Sequence, residues 1–316
     1  IIHQFSPDDT DLYLADKFLN ITPKIEEYLR KKIERVYSDE ARTGIFEEDN
    51  PFLEMISDDL LETSVAVANR WKEEFVVSEN QKTNDLVFVQ FSKEGVEHFA
   101  FLRIALRETL THLGGEVDNP IKLTQNNLPG FGTSADEALV INLQSRKYHL
   151  IEKRIKYNGT FLNYFSENLL QAQPKISPKK SIKALEKTAQ KIAESFNTDD
   201  FQFQSKVKSA IFNHIEEENK LSPEKLADDL FDDNLTARLS FIDQVKEAVP
   251  EPVTFEEIDA SRQLKKFENQ KLSLSNGIEL IVPNNVYEDA ESVEFILNEN
   301  GTYSILIKNI EDIQSK

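Results

Sequence analysis

Residues 85–106 read DLVFVQFSKEGVEHFAFLRIAL and constrain the fold more than any other stretch of the chain. Leu86 to Phe91 is nearly all apolar and built from residues that suit a pleated strand, and Val96 to Ile104 resumes the pattern. The polar break Ser92-Lys93-Glu94-Gly95 ends in glycine, so the two runs form a β-hairpin. The pair is too apolar for a surface ribbon. It belongs at the centre of a sheet covered on at least one face.

Elements that could supply the cover lie on either side. Ile1 to Phe5 and Asp11 to Lys17 are predicted strands around a Ser6-Pro7-Asp8-Asp9 turn. Thr22-Pro23 opens a helix, with Thr capping free amides and Pro at a position that needs no N–H. Ile25, Tyr28, Leu29, Ile33 and Val36 make its buried stripe. Arg30, Lys31, Lys32 and Arg35 alternate with Glu26, Glu27 and Glu34 and read as a solvated, ion-paired face. Asn50-Pro51 punctuates the chain, and Ser57-Asp58-Asp59 leads into a helix to about Val77. Its wide stripe of Ile56, Leu60, Val67, Trp71 and Phe75 suits packing flat on a sheet, with Trp71 in the core.

After the hairpin, Glu108 to Leu113 gives way to a polar region containing Gly114-Gly115, Pro120 and Pro129-Gly130-Phe131-Gly132. A lone G-x-G without a strand-to-helix context is a plain loop rather than a phosphate cradle. Two further strands, Ala138 to Leu143 and Tyr148 to Ile155, join around Gln144-Ser145-Arg146-Lys147, and a helical stretch follows from Gly159-Thr160 to Leu170. Gln171-Ala172-Gln173-Pro174 marks the boundary, giving an N-terminal α+β domain over 1–172 and a second domain over 173–316. The latter starts with helices at Ser177-Pro178 and Ser222-Pro223. One carries Ile182, Leu185, Ala189, Ile192 and Phe196; another steps by four through Phe203, Val207, Ile211 and Ile215. A further helix runs from near Thr236 to Val249. Asn276-Gly277 and Asn300-Gly301, each between apolar runs, predict two terminal hairpins whose turn residues both take positive φ. The fold class is therefore α+β: a mostly antiparallel sheet covered by helices, then a helical block and C-terminal β-hairpins.

Cysteine is absent, which excludes disulfides, thiolate metal sites and a Cys nucleophile, and fits a reducing cytoplasm. No run approaches the roughly 18 apolar residues of a membrane-spanning helix, and no basic-then-apolar leader opens the chain. It begins Ile1-Ile2-His3 rather than with Met, so a few native residues are expected to precede it. Five histidines, at 3, 98, 112, 149 and 214, show no ligand spacing, so no metal or cofactor is expected. The acidic runs at 216–218, 228–229 and 232–233 read as solvated surface. No nucleophile elbow is present, and the chain is read as a non-enzyme.

The net charge of −19 argues against a simple nucleic-acid coat, but between Ser145 and Lys191 there are 11 basic residues against 3 acidic ones. Lys179, Lys180, Lys183, Lys187 and Lys191 fall on one side of the predicted helix and the apolar residues on the other. Such a single-sign stripe suffers like-charge repulsion, so an outside anion should neutralise it. That anion is either carboxylates of this chain or of a second copy, or a phosphate backbone. In the latter case Arg146, Lys147, Lys153, Arg154 and Lys156 would assist if the two segments meet.

Several landmarks together resemble the bacterial 37-kilodalton nucleoid-associated protein family. They are Val36-Tyr37-Ser38 before Gly44-Ile45-Phe46, the central hairpin, and Tyr148 to Ile155 leading to TFLNYFSENLL. Ile258-Asp259 and Arg262-x-Leu-Lys-Lys-Phe267 follow before the glycine-turn strands. The resemblance implies a cytoplasmic protein of the bacterial nucleoid and transfers no catalytic residue. The leading expectation is weak, non-specific association with duplex DNA through the ten basic residues just named. The alternative is an acidic adaptor that binds DNA-processing or DNA-packaging proteins. Partners under either reading are DNA, nucleoid proteins and a second copy in a homodimer, with no membrane.

Overall fold

The computed structural model describes residues 1–314 apart from 9, 77–81, 113, 115–120, 158, 199–200 and 256. The chain divides into two units, Ile1–Ser177 and Pro178–Lys316.

The first unit opens with β1 (Ile2–Ser6), β2 (Asp11–Tyr13), α1 (Pro23–Glu34) and β3 (Arg42–Ile45). A single turn α2 (Pro51–Glu54) precedes the long α3 (Leu60–Phe75), and then come β4 (Asn84–Lys93) and β5 (Val96–Ala105). The unit continues through β6 (Arg107–His112), β7 (Ile121–Asn127), β8 (Glu137–Asn142) and β9 (Lys147–Ile151), and ends with β10 (Ile155–Tyr157) and β11 (Thr160–Leu162). Seven strands form one antiparallel sheet in the order β2-β1-β4-β5-β8-β9-β3. The expected hairpin lies at its centre, with Phe88 opposite Phe101.

Alternation along these strands explains why both faces are covered. Leu86, Phe88, Phe99 and Phe101 point to one side and pack with Trp71 and Phe75 of α3. Val87, Ala100, Leu102 and Ile104 point to the other and meet Ile33 in the last turn of α1 and Val36 just beyond it. The helix starts follow the capping chemistry of the sequence. Thr22 accepts from the Ile25 amide, and Asp59 accepts from Leu61 and Glu62. Trp71 is fully buried, and its indole N–H donates to the Tyr164 hydroxyl at 3.0 Å. Gly44 is obligatory for packing, because a Cβ there would lie 2.3 Å from the Tyr148 hydroxyl oxygen.

Three expectations need correction here. The strand predicted over 148–155 ends at Ile151, because the Glu152 carboxylate turns aside to accept from the Ser166 amide (3.0 Å) and hydroxyl (2.8 Å). The helix predicted over 159–170 is instead the hairpin β10–β11 followed by a π-helical turn at Phe165–Leu169. The region after the central hairpin also holds the unforeseen ribbon β6–β7. Asp9 of the first predicted turn lies outside the described residues, as does Val77 at the expected end of α3.

The second unit begins with α4 (Pro178–Ser195), α5 (Phe201–Glu218), β12 (Lys220–Leu221), α6 (Pro223–Leu230) and α7 (Leu235–Lys246). It continues through β13 (Val253–Thr254) and α8 (Ser261–Phe267). The hairpin β14 (Asn269–Ser273) with β15 (Glu279–Pro283), the turn α9 (Asn284–Tyr287), and the hairpin β16 (Val293–Leu297) with β17 (Tyr303–Ile307) complete it. One apolar cluster joins Leu185, Ile192, Ile211, Leu226 and Phe241, so the predicted stripes of α4 and α5 face a common core. Both terminal hairpins form, but only Gly277 and Gly301 take positive φ, not the preceding asparagines. Each turn is a three-residue loop closed at its end by a left-handed glycine, with the Gly277 amide donating to Leu274 and the Gly301 amide to Asn298.

Candidate nucleic-acid interface

At 18 residues and 1.5 Å per residue, α4 is about 27 Å long. Its buried side carries Ile182, Leu185, Ala189 and Ile192. At about 100° per residue, Lys179, Lys183, Lys187, Lys180 and Lys191 occupy an arc of about 120° on the opposite side. All five are exposed. Lys180, Lys183 and Lys187 make no ion pair or hydrogen bond with any described residue. Lys191 donates to the neutral amide oxygen of Gln244 at 3.0 Å. The two acids of the helix are turned to other partners. Glu186 pairs with Lys266 at 3.3 Å, and Glu194, in the last turn of the basic arc, accepts from Gln190. Three successive like-charged pairs four residues apart (179 and 183, 183 and 187, 187 and 191) cost the isolated helix about 1 kcal/mol together.

The basic residues of the first unit have different surroundings. Arg146, held at positive φ by the turn between β8 and β9, pairs with Glu48 at 3.0 Å. Lys153 pairs with Asp136 at 2.9 Å, and Arg154 donates to the Phe161 carbonyl at 2.6 Å. Lys147 and Lys156 are half-buried and also have partners. Arg146, Lys153 and Arg154 are thus engaged by the unit itself.

Two buried charged groups escaped the sequence reading. Lys32 does not join Arg30 and Lys31 on the solvated face, where those two pair with Glu34 and Glu27. It is fully buried and donates to the carbonyls of Gly130 (2.9 Å) and Thr133, and burial, with Arg35 and Arg107 nearby, pulls its pKa down to about 8. The helical wheel carried the signal, since Lys32 falls inside the arc of Ile25, Tyr28, Leu29 and Val36. The Gly130–Gly132 loop is thus a plain loop whose inward atoms are oxygens, suited to a cation rather than a phosphate.

The second group is Arg103, buried on β5, which donates to Glu137 at 2.7 Å and to the Asn84 side chain at 2.9 Å. Tyr164 also donates its hydroxyl to Glu137. Burial opposes the Arg103 charge, but Glu137 beside it holds the guanidinium protonated, and burial drives the Tyr164 hydroxyl well above its ordinary range. The visible signal was a lone arginine within HFAFLRIA.

Among the described residues, no group of three or more histidine, aspartate or glutamate side chains is placed to hold a metal ion. No helix of the described residues is long and apolar enough to cross a membrane. His214 contacts Asp229 at 2.7 Å, while Glu218, Asp228 and Asp232 pair with Lys225, Arg238 and Lys206, so each acidic run contains an ion-paired carboxylate at the surface.

Taken together, the geometry defines an α+β protein of two units, the second of which carries an exposed face of five lysines on α4. The chain matches the family described as nucleoid-associated protein YejK over residues 1–313, and it belongs to that family. No curated protein sequence matches it.

Proposed function

We propose that this nucleoid-associated protein binds duplex DNA directly, weakly and without sequence preference, through the lysine face of α4. The carrying observation is that Lys180, Lys183 and Lys187 stand exposed, unpaired with any described residue, on a chain with 56 acidic residues. A helix surface that repels itself is relieved when a phosphate backbone supplies the counter-charge, and condensed counter-ions are released in the exchange. The −19 net charge opposes close approach everywhere else and keeps the association weak. The role is one of binding, with no cofactor and no covalent step. Arg146, Lys147, Lys153, Arg154 and Lys156 contribute less, since Arg146 and Lys153 already hold carboxylates of their own unit.

The test is charge reversal: Lys179→Glu, Lys180→Glu, Lys183→Glu and Lys187→Glu together should abolish retention on duplex DNA at low salt. Unchanged retention removes the α4 face as the contact. The excess of 56 acidic over 37 basic residues favours a second reading, an adaptor that meets DNA-processing or DNA-packaging proteins through its acidic faces. A pull-down from nuclease-treated lysate separates the two, because an adaptor keeps its partner after DNA is gone.

A further inference from the structure

The ribbon β6–β7 is amphipathic, and its apolar side chains are left exposed among the described residues. Leu110 lies opposite Leu123 and His112 opposite Ile121, so these four share one face. The other face carries a threonine ladder, with Thr124 within 3.0 Å of Thr109 and 3.1 Å of Thr111. Leu110, Ile121 and Leu123 are 74%, 67% and 55% exposed. A two-stranded ribbon is marginal in water without a surface to lie on. Its root is pinned at both ends. The Leu106 amide donates to the Thr83 carbonyl and the Ala105 amide to the Asp136 carboxylate, both at 2.9 Å, while Tyr28 donates to the Pro129 carbonyl at 2.9 Å.

Beside α1 of the same unit lies a half-open groove of about 490 Å³, within the range of ordinary binding sites. Ile2, Val87 and Ile104 of the sheet floor it, Leu19 and Leu128 stand at its walls, and Lys24 is the only charged residue lining it. Leu19 and Leu128 are 36% and 46% exposed. The ribbon of the same copy leaves this groove open, since no described residue of β6 or β7 lines it.

We propose that the ribbon of one copy lies in the α1 groove of a second copy, and reciprocally, forming an arm-exchanged dimer. Two apolar surfaces on one unit, neither covering the other among the described residues, can pair across a two-fold axis, and the reciprocal contact closes without leaving either open. Charge selects the same occupant. Two chains of −19 repel wherever carboxylates face each other, but the described ribbon residues include one acid, Glu108, and the groove lining includes none. Glu108 lies at the root of the apolar face, bonded by Gln125 at 3.2 Å, and meets its complement in Lys24 of the groove. The contact is independent of the α4 lysines, so it persists at salt concentrations that release DNA.

The full chain should sediment at twice its 36.3 kDa mass in both low and high salt. Sedimentation as a monomer at all concentrations overturns the proposal. The paired substitutions Leu110→Asp with Leu123→Asp, and separately Leu19→Asp with Leu128→Asp, should each halve the mass while leaving the far-ultraviolet spectrum unchanged. A dimer that survives both pairs also overturns it. Should these charges unfold the unit, the cysteine-free chain offers a milder route. Leu123→Cys in one copy and Leu128→Cys in a differently tagged copy should cross-link on mild oxidation only when mixed. Cross-linking of either variant alone to the same extent, or none in the mixture, refutes arm-in-groove exchange.

Discussion

The salt dependence of DNA binding gives the sharpest test of the cationic face on α4. Four lysines there lack a carboxylate partner among the described residues: Lys180, Lys183 and Lys187, which make no hydrogen bond or ion pair with them, and Lys191, which donates to an amide. If each neutralises one phosphate, the logarithm of affinity falls with the logarithm of salt at a slope of about −3.6, about −0.9 per contact. Between about 50 and 200 mM salt the affinity should then drop about 150-fold. Replacing Lys180, Lys183 and Lys187 with glutamine leaves one contact, a slope of about −0.9 and a drop of about 3-fold over the same range. Fluorescence anisotropy on a short random duplex reads both slopes, and duplexes of different sequence should superimpose. Replacing Lys153 with glutamine should change the slope much less, since that ammonium is already committed to Asp136. A triple variant that keeps the parent slope would refute the assignment of phosphate contacts to this helix.

Two predictions concern the first unit, where Trp71, the sole tryptophan and fully buried, reports unfolding by its fluorescence. His3 is buried, its Nδ1 accepts from the Ala15 amide, and its Nε2 therefore donates to Ser64, so an added proton would face an N–H; burial brings its pKa down to about 4 from 6.5. The unfolded chain binds this proton first, so the His3 contribution is intact above pH 6.5 and is lost as pH falls toward 4. In urea melts the parent should lose about 2 kcal/mol more than His3→Gln between about pH 7 and pH 4.5; parallel losses would contradict a neutral buried imidazole. Glu137→Ala should cost about 3–5 kcal/mol by leaving the Arg103 charge unpaired in the core, and Arg103→Leu with Glu137→Leu should recover much of it. A single-variant loss below about 1 kcal/mol would show that the pair is solvated.

The parts of the fold legible in the sequence were those fixed by local chemistry. Thr22, Asp59 and Ser222 cap helices because a short oxygen-bearing side chain reaches the free amides. The central hairpin was legible because its burial on both faces needs two nearly continuous apolar runs. The ribbon β6–β7 was not, since Thr109, Thr111, Thr124, Gln125 and Asn127 are polar and no core dictates alternation there. Residues 160–162 went to strand because pairing with 155–157 overrode the helical spacing of the aromatics. In the terminal turns the Asn-Gly pairs located the reversal but not its type. For the interface, the lysine periodicity was legible in α4 itself, whereas the partners of Arg146 and Lys153 lie at positions 48 and 136, a separation no local pattern records.

The like-charged row on α4 has a bearing on stability as well as on contact. Because its side chains repel one another in the empty state, any polyanion that settles on them relaxes the helix it occupies and resists its unravelling. The second unit should therefore be firmest where nucleic acid is dense and loosest where it is scarce. Susceptibility of that unit to proteases would then vary with the company it keeps.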